Sequence, residues 1–297
     1  MTQSSQPVGV SEAWTIRRLL RWAAEDFAQR GLESPRLEAE LLLGHALGMT
    51  RIQMIVKSED IPTQGELHRF RELVRRRRNS EPTAYLLGRR EFYGIQFRVD
   101  KRVLVPRPDT ESLVEVAIEC TRPRNAHGRA LDLCTGSGCV AIAFAKHRPG
   151  WSVTGVDISA DALSVAEDNA LRVGTILSLA WVHGDLFDAL PRQRFELITA
   201  NPPYVPSSVC LTLDPVVRNF EPQLALDGGD DGLDISRRIV NGAPEWLEPG
   251  GVLAIEIGHD QADRVRTMFV DCGFEDVSGR KDYGGRDRVV SGKWPTR

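Results

Sequence analysis

Cysteine is scarce and poorly spaced for structure. Cys120, Cys134, Cys139, Cys210 and Cys272 are odd in number and contain no C-x-x-C pair, which argues against a disulfide framework and against a zinc site, so no metal is expected. Long apolar runs are also missing: a stretch such as GVLAIEIG falls far short of the roughly 20 residues that cross a bilayer. The polar beginning, MTQSSQPVGVSE, lacks the basic and apolar regions of a secretory signal, and together these absences predict a cytoplasmic protein with no membrane partner. Neither sign of charge prevails, with 38 Lys and Arg against 41 Asp and Glu. A duplex binder would want an overall basic surface, so no stable nucleic-acid partner is expected. Internal repeats and low-complexity segments are absent as well.

What is present is 41% hydrophobic residues over 297 positions, enough for one large core and a smaller second domain. The charge is unevenly placed. Residues 1–90 carry 15 basic against 11 acidic side chains and the remainder 23 against 30, an excess to which Arg75, Arg76, Arg77 and Arg78 contribute. That run reads either as a solvated helix end or as a face for RNA or an acidic partner.

Helical periodicity dominates the first 80 or so residues. Ile16, Leu19, Leu20, Ala23 and Phe27 share a face after a possible Ser11 cap; Pro35 opens a second helix that Gly48 closes; and Thr63 with Glu66 has capping-box spacing ahead of Leu67, Phe70, Leu73 and Val74. The expectation is a helical domain over 1–88 that serves packing or substrate recognition. FYGIQFRV and RVLV then suggest two strands turning at Asp100-Lys101, a hairpin linker over 89–107. From 108 to 297 strands and helices alternate: RALDLC, SVTGVDI, LAWVHGD, FELITA and GVLAIEI, with FEDVSG and DRVVSGKW closing the chain. This predicts an α/β fold, a seven-stranded, mostly parallel, Rossmann-like sheet with helices on both faces and a terminal antiparallel edge.

In such sheets ligands bind beyond the carboxyl ends of the strands, and three features fall there. The turn Cys134-Thr135-Gly136-Ser137-Gly138 lets the backbone approach a ligand at a helix N-terminus, although the full G-x-G-x-x-G fingerprint is missing and Cys134 stands where a first glycine would be. Asp157, about 20 residues on, can accept both hydroxyls of a ribose or cap the next helix, a task Ser159 can also fill. Asp185 can accept from an adenine amino group with Leu186 and Phe187 near the ring, or be a loop aspartate.

The fourth strand end is Asn201-Pro202-Pro203-Tyr204. Two prolines cannot continue a sheet, and they stiffen the corner without adding an amide donor. Asn201 Oδ1 and the Pro202 carbonyl are acceptors suited to an NH₂ group, and Tyr204 is a flat wall. The order of the four features resembles class I S-adenosylmethionine-dependent methyltransferases, and NPPY narrows the resemblance to those that methylate a planar nitrogen. EPTAYLLGRREFYG, VLVPRPDTE, LDLCTGSGCVAIA, NPPYV and KDYGGRDRVV together resemble the release factor glutamine methyltransferase family (PrmC/HemK) from about residue 10 to the end.

The resemblance implies a methyltransferase domain over 108–297 and S-adenosylmethionine as cofactor, held by residues 134–138, Asp157, Leu186 and Asn201, with Asp185 added. It implies a glutamine held by Asn201, Pro202, Pro203 and Tyr204, with Phe92 as a further contact, and release factors, through their Gly-Gly-Gln loop, as partners. A sister enzyme acting on a ribosomal-protein glutamine, and an adenine methyltransferase of DNA, remain alternatives. Arg107 would meet the cofactor carboxylate or pair with Asp109 or Glu111.

Overall fold

The computed structural model describes residues 13–122 and 126–296. The chain divides into two compact units, one ending at Leu87 and the other beginning at Gly88.

The first unit is helical. Helix α1 (Ile16–Gln29) is capped by Thr15, whose side chain accepts from the Arg18 amide; Ser11 lies outside the described residues. Its buried face is Ile16, Leu19, Leu20, Ala23 and Phe27, the apolar stripe visible in the sequence. Helix α2 (Pro35–Leu47) ends at Gly48 in the left-handed conformation. A short helix, α3 (Arg51–Val56), was not foreseen from apolar spacing, although Thr50 and Gln53 form a complete capping box for it. Helix α4 (Gln64–Arg78) starts from the Thr63–Glu66 box, and α5 (Thr83–Leu87) closes the unit. The arginine run is internally neutralised: Arg75 pairs with Glu72, Arg76 with Glu81, Arg77 with Glu38 and Arg78 with Asp26.

In the second unit the hairpin is real but displaced from its expected position. Strands β1 (Arg89–Phe92) and β2 (Ile95–Arg98) pair across Tyr93-Gly94, both at positive φ, the backbone a two-residue hairpin turn requires. Asp100 and Arg102 instead form a local ion pair, and RVLV continues from a turn without joining a strand, with Val103 and Val105 buried. The hairpin is no mere linker, because Phe92, Ile95 and Phe97 pack into a cluster with Leu113, Val114, Val140 and Ile142. Beyond it, α6 (Glu111–Thr121) leads into β3 (Gly128–Leu133), α7 (Cys139–His147), β4 (Trp151–Asp157), α8 (Ala160–Val173), β5 (Leu179–His183) and β6 (Phe195–Ala200). Short helices α9 (Ser207–Cys210) and α10 (Pro215–Arg218) precede α11 (Asp234–Trp246), β7 (Leu247–Glu256), α12 (Ala262–Asp271), β8 (Glu275–Lys281) and β9 (Asp287–Lys293).

Strands β3 to β9 form one sheet in the order β5-β4-β3-β6-β7-β9-β8. Only β9 runs against its neighbours; it slots between β7 and β8, so β8 is the outer edge. Both faces are covered. Leu131, Leu133, Ile198, Ala200, Leu253 and Ile255 pack on α11 and α12, while the alternate residues Ala130, Leu197 and Ala254 meet the side that carries α6 and α7. Two buried faces explain why these strands read as continuous apolar runs. The order reverses between β3 and β6, and the ends of β5, β4, β3 and β6 lie side by side.

Candidate active site

The turn after β3 is built for close approach. Cys134, Gly136 and Gly138 all have positive φ, so Cys134 adopts the conformation of the glycine missing from the fingerprint. A Cβ added at Gly136 would meet no protein atom within 4 Å, which leaves that stretch of backbone open. Asp157 braces it: Oδ2 accepts the Gly136 amide at 2.8 Å and Oδ1 the Ser159 amide at 2.9 Å. Ser159 is the side-chain cap of α8, so Asp157 is free of that duty, and each carboxylate oxygen keeps a further lone pair for a ligand.

One pocket gathers the predicted strand ends. Its lining includes residues 134–137, Asp157, Asp185, Leu186, Asn201 and Pro203, together with Asp132, Thr110 and Arg107, whereas Gly138 is outside it and packs close to Ile142, Trp181 and Ala166. Asp185 lines it with its carboxylate paired to Arg238 at 3.0 Å, a partner the sequence did not suggest. Phe187 lies elsewhere, stacked on Trp246 at 5.8 Å, and is not part of this lining. Phe92 is also outside it: only 1% exposed, it packs edge-on against Phe97 in the hairpin core, which corrects its placement as a substrate contact.

The pocket lining carries Asp132, Asp157 and Asp185 alongside Arg102, Arg107 and Arg238. Burial pushes the Asp132 carboxyl up to about 6, against the opposing pull of hydrogen bonds from Thr135 and Thr199. Burial also raises Asp157, offset by its two amide donors. The Cys134 thiol is raised by burial and then by Asp157, Asp132 and Asp185, three carboxylates acting on one atom.

NPPY closes the other end. Asn201 Nδ2 donates to Thr110 Oγ1 at 3.3 Å, and no donor among the described residues takes Asn201 Oδ1 or the Pro202 carbonyl. Pro202 is buried, Pro203 lines the pocket, and Tyr204 turns its hydroxyl to Glu256 Oε1 at 3.5 Å. The segment is stapled from behind. The Val205 amide donates to the Leu226 carbonyl, the Val205 carbonyl accepts from the Gly228 amide, and Gln261 Nε2 donates to the Tyr204 carbonyl at 2.9 Å. A Cβ on Gly232 would stand 2.4 Å from that same carbonyl, so the glycine-rich stretch Gly228-Gly229-Asp230-Asp231-Gly232 is a close-packed support. Its three glycines in five residues were the available signal, and the sequence reading passed over them.

Arg107 lines the pocket and pairs with neither Asp109 nor Glu111. Its guanidinium binds Glu221 at 2.6 Å, and Glu221, 1% exposed, also accepts the Val105 amide. Asp109 pairs with Arg288, and Glu111 accepts the Tyr93 amide. Arg107 and Glu221 are 114 residues apart, too far for a single sequence to couple them.

Comparison with known proteins places this architecture. The family model described as PrmC N-terminal domain matches residues 18–88, and that described as methyltransferase small domain matches residues 113–213. A release factor glutamine methyltransferase of Geobacter sulfurreducens is 46% identical over 283 residues, covering 95% of this chain and 98% of that protein. The chain belongs to the release factor glutamine methyltransferase family. The family member of Rhodopirellula baltica is 42% identical over 283 residues, covering 94% of this chain and 96% of its own. Among solved structures, a methyltransferase from Pyrococcus furiosus shares the fold at 16% identity and a TM-score of 0.51, covering 68% of this chain and 90% of that one. Membership makes this chain a methyltransferase. No helix among the described residues is long and apolar enough to cross a membrane.

Proposed function

We propose that the protein transfers a methyl group from S-adenosylmethionine to the side-chain amide nitrogen of the glutamine in the Gly-Gly-Gln loop of peptide chain release factors. The observation that carries this reading is the corner at Asn201: an amide oxygen and a prolyl carbonyl left without protein donors among the described residues, next to the pocket that Gly136, Asp157 and Asp185 line. An amide nitrogen is a poor nucleophile because its lone pair is delocalised. Two fixed acceptors can hold its N–H groups and leave the lone pair facing the pocket, so rate comes from positioning. When bound, S-adenosylmethionine would supply an electrophilic methyl on a sulfonium. The residues present fit it. Asp157 offers acceptors for a ribose, the open backbone at Gly136 allows close approach, and the Asp132, Asp157 and Asp185 carboxylates suit a cation. No strong base is needed beforehand, because the nitrogen becomes acidic only once it is methylated.

Transfer of labelled methyl to purified release factors, with the ribosomal protein and DNA in parallel, tests the assignment. Label is expected on the Gly-Gly-Gln glutamine of release factors; label on the ribosomal protein or on adenine alone would replace the substrate.

Two further outcomes concern cofactor binding by calorimetry. Asp157→Ala should weaken it by about 1–3 kcal/mol, the range for hydrogen bonds to a charged group, and unchanged affinity in a folded variant would remove the ribose role. Affinity should also depend on pH. A cation favours ionised carboxylates, and Asp132 is ionised only above about 6 in the free protein. Binding is therefore strong above that pH and should weaken below it, by at most about tenfold per pH unit for one proton. Equal affinity at pH 5 and pH 7.5 would exclude Asp132 as a partner.

A further inference from the structure

Leu224 is 58% exposed, yet it lines the pocket together with Pro222 and Ala225. A side chain that both faces solvent and lines a pocket stands at its mouth. Leu224 rides on the short turn Gln223–Ala225, in the stretch between NPPY and α11. The mouth around it is apolar: Leu104 and Pro106 line the pocket from the segment before α6, and Pro203 lines it from NPPY itself. Prolines bring no amide donor, so this part of the lining has little with which to hold a polar group. A lone exposed leucine is ordinary on a protein surface, but one held at the mouth of a catalytic pocket among apolar neighbours is placed to meet the substrate.

The turn that carries it is fixed at both ends. On one side Glu221 accepts the Val105 amide and pairs with Arg107. On the other the Leu226 carbonyl accepts the Val205 amide, and Asp227 Oδ1 takes the Ser207 hydroxyl at 2.6 Å and the Gly229 amide at 3.0 Å. A Cβ added at Gly228 would stand 2.6 Å from the Pro203 carbonyl, so this stretch packs directly against NPPY. These ties run to NPPY and its continuation and to residues 105–107, which puts Leu224 at the Asn201 end of the pocket. We propose that Leu224 is a specificity-determining residue, an apolar shelf on which the residue preceding the target glutamine lies. Glycine there has no Cβ and brings its backbone onto the leucine, whereas a branched side chain strikes a surface that cannot yield. The inference rests on the proposed Gly-Gly-Gln substrate, whose loop enters by this mouth.

A contact of this kind has a distinct kinetic signature. The shelf touches the substrate beside the reacting amide and not the nitrogen itself, so it is the same in the bound substrate and in the transition state. Its loss therefore falls on KM and leaves kcat alone. Covering the exposed part of one leucine side chain is worth roughly 3–20-fold in KM, less than the full burial of that side chain would give.

The experiment uses full-length protein and saturating S-adenosylmethionine, with a Gly-Gly-Gln peptide, the same peptide carrying valine immediately before the glutamine, and intact release factor as substrates. Leu224→Ala should raise KM for the Gly-Gly-Gln peptide by roughly 3–20-fold with kcat unchanged, and cofactor affinity measured by calorimetry should stay at the wild-type value. Leu224→Met, which keeps the volume, should restore most of the wild-type KM. The preference for glycine over valine, as a ratio of kcat/KM, should fall by about fivefold or more in Leu224→Ala, because the smaller side chain makes room for the branched one. The leucine is mostly exposed, so its replacement is not expected to unfold the chain, and a merely structural role would lower kcat or stability without touching the preference for glycine. An unchanged KM, an unchanged glycine preference, a Leu224→Met as weak as Leu224→Ala, or a loss of cofactor affinity in place of peptide affinity would each overturn the shelf and leave the glutamine substrate standing. A wild-type protein that methylates neither peptide nor release factor would instead remove the substrate, and the shelf with it.

Discussion

Asn201→Ala should slow methyl transfer by roughly a hundredfold or more, in line with deleting one positioned polar contact to a transition state. The loss should fall on kcat. Asn201 is one of many residues lining the pocket but supplies an unpaired amide acceptor at the corner, so cofactor affinity should change much less. The local fold is secured independently of this side chain, through the Val205 and Gly228 backbone bonds and the Gln261 contact to the Tyr204 carbonyl. Single-turnover transfer to a Gly-Gly-Gln peptide, with calorimetry on the same variant, separates the two quantities. A variant that keeps the wild-type rate would remove Asn201 from the reaction.

Where the chain is cut should matter as much. A fragment of residues 108–297 is expected not to fold, because it discards Phe92, Ile95 and Phe97 from a core shared with α6 and α7. Deleting one buried Phe side chain costs about 3–5 kcal/mol, against a total stability of about 5–15 kcal/mol for a whole domain. Residues 88–297 keep that cluster and are expected to give a cooperative thermal transition and to bind cofactor. We propose the helical unit as the part that recognises a folded release factor, since the same glutamine amide is present in a peptide and selectivity must come from contacts remote from it. The 88–297 fragment should then methylate a Gly-Gly-Gln peptide nearly as well as the full chain and lose most activity on intact release factor. Equal loss on both substrates would mean that the helices support catalysis, and equal activity on both would exclude them from recognition. Because Arg75 to Arg78 each face a carboxylate of their own unit, that run is not expected to steer substrates by charge, and salt should slow the reaction little on its account.

Much of this was legible locally. Helix α1 could be placed from five apolar residues on one face, α4 from a Thr and a Glu three apart, and the strand ends from apolar runs stopped by Gly, Asp or Asn. These signals work because they depend on neighbours a few residues away, where the chain's own geometry fixes what can meet. The Tyr93-Gly94 turn is as local a feature and was misplaced all the same, because RVLV carries the pattern of a strand while its burial comes from the protein around it.

The sequence by itself determined the order of parts: a helical unit, then a doubly covered sheet whose successive strands end in a glycine turn, two aspartates and NPPY. Only the tertiary structure decided what each charged side chain does. Arg107 chose Glu221 over the nearby Asp109 and Glu111, Asp185 took Arg238, Phe92 went into the core, and Glu256 came to accept from the Tyr204 hydroxyl. The reason is physical. Backbone periodicity is set by bonds within a few residues, whereas a buried charge must find its partner wherever the fold brings one.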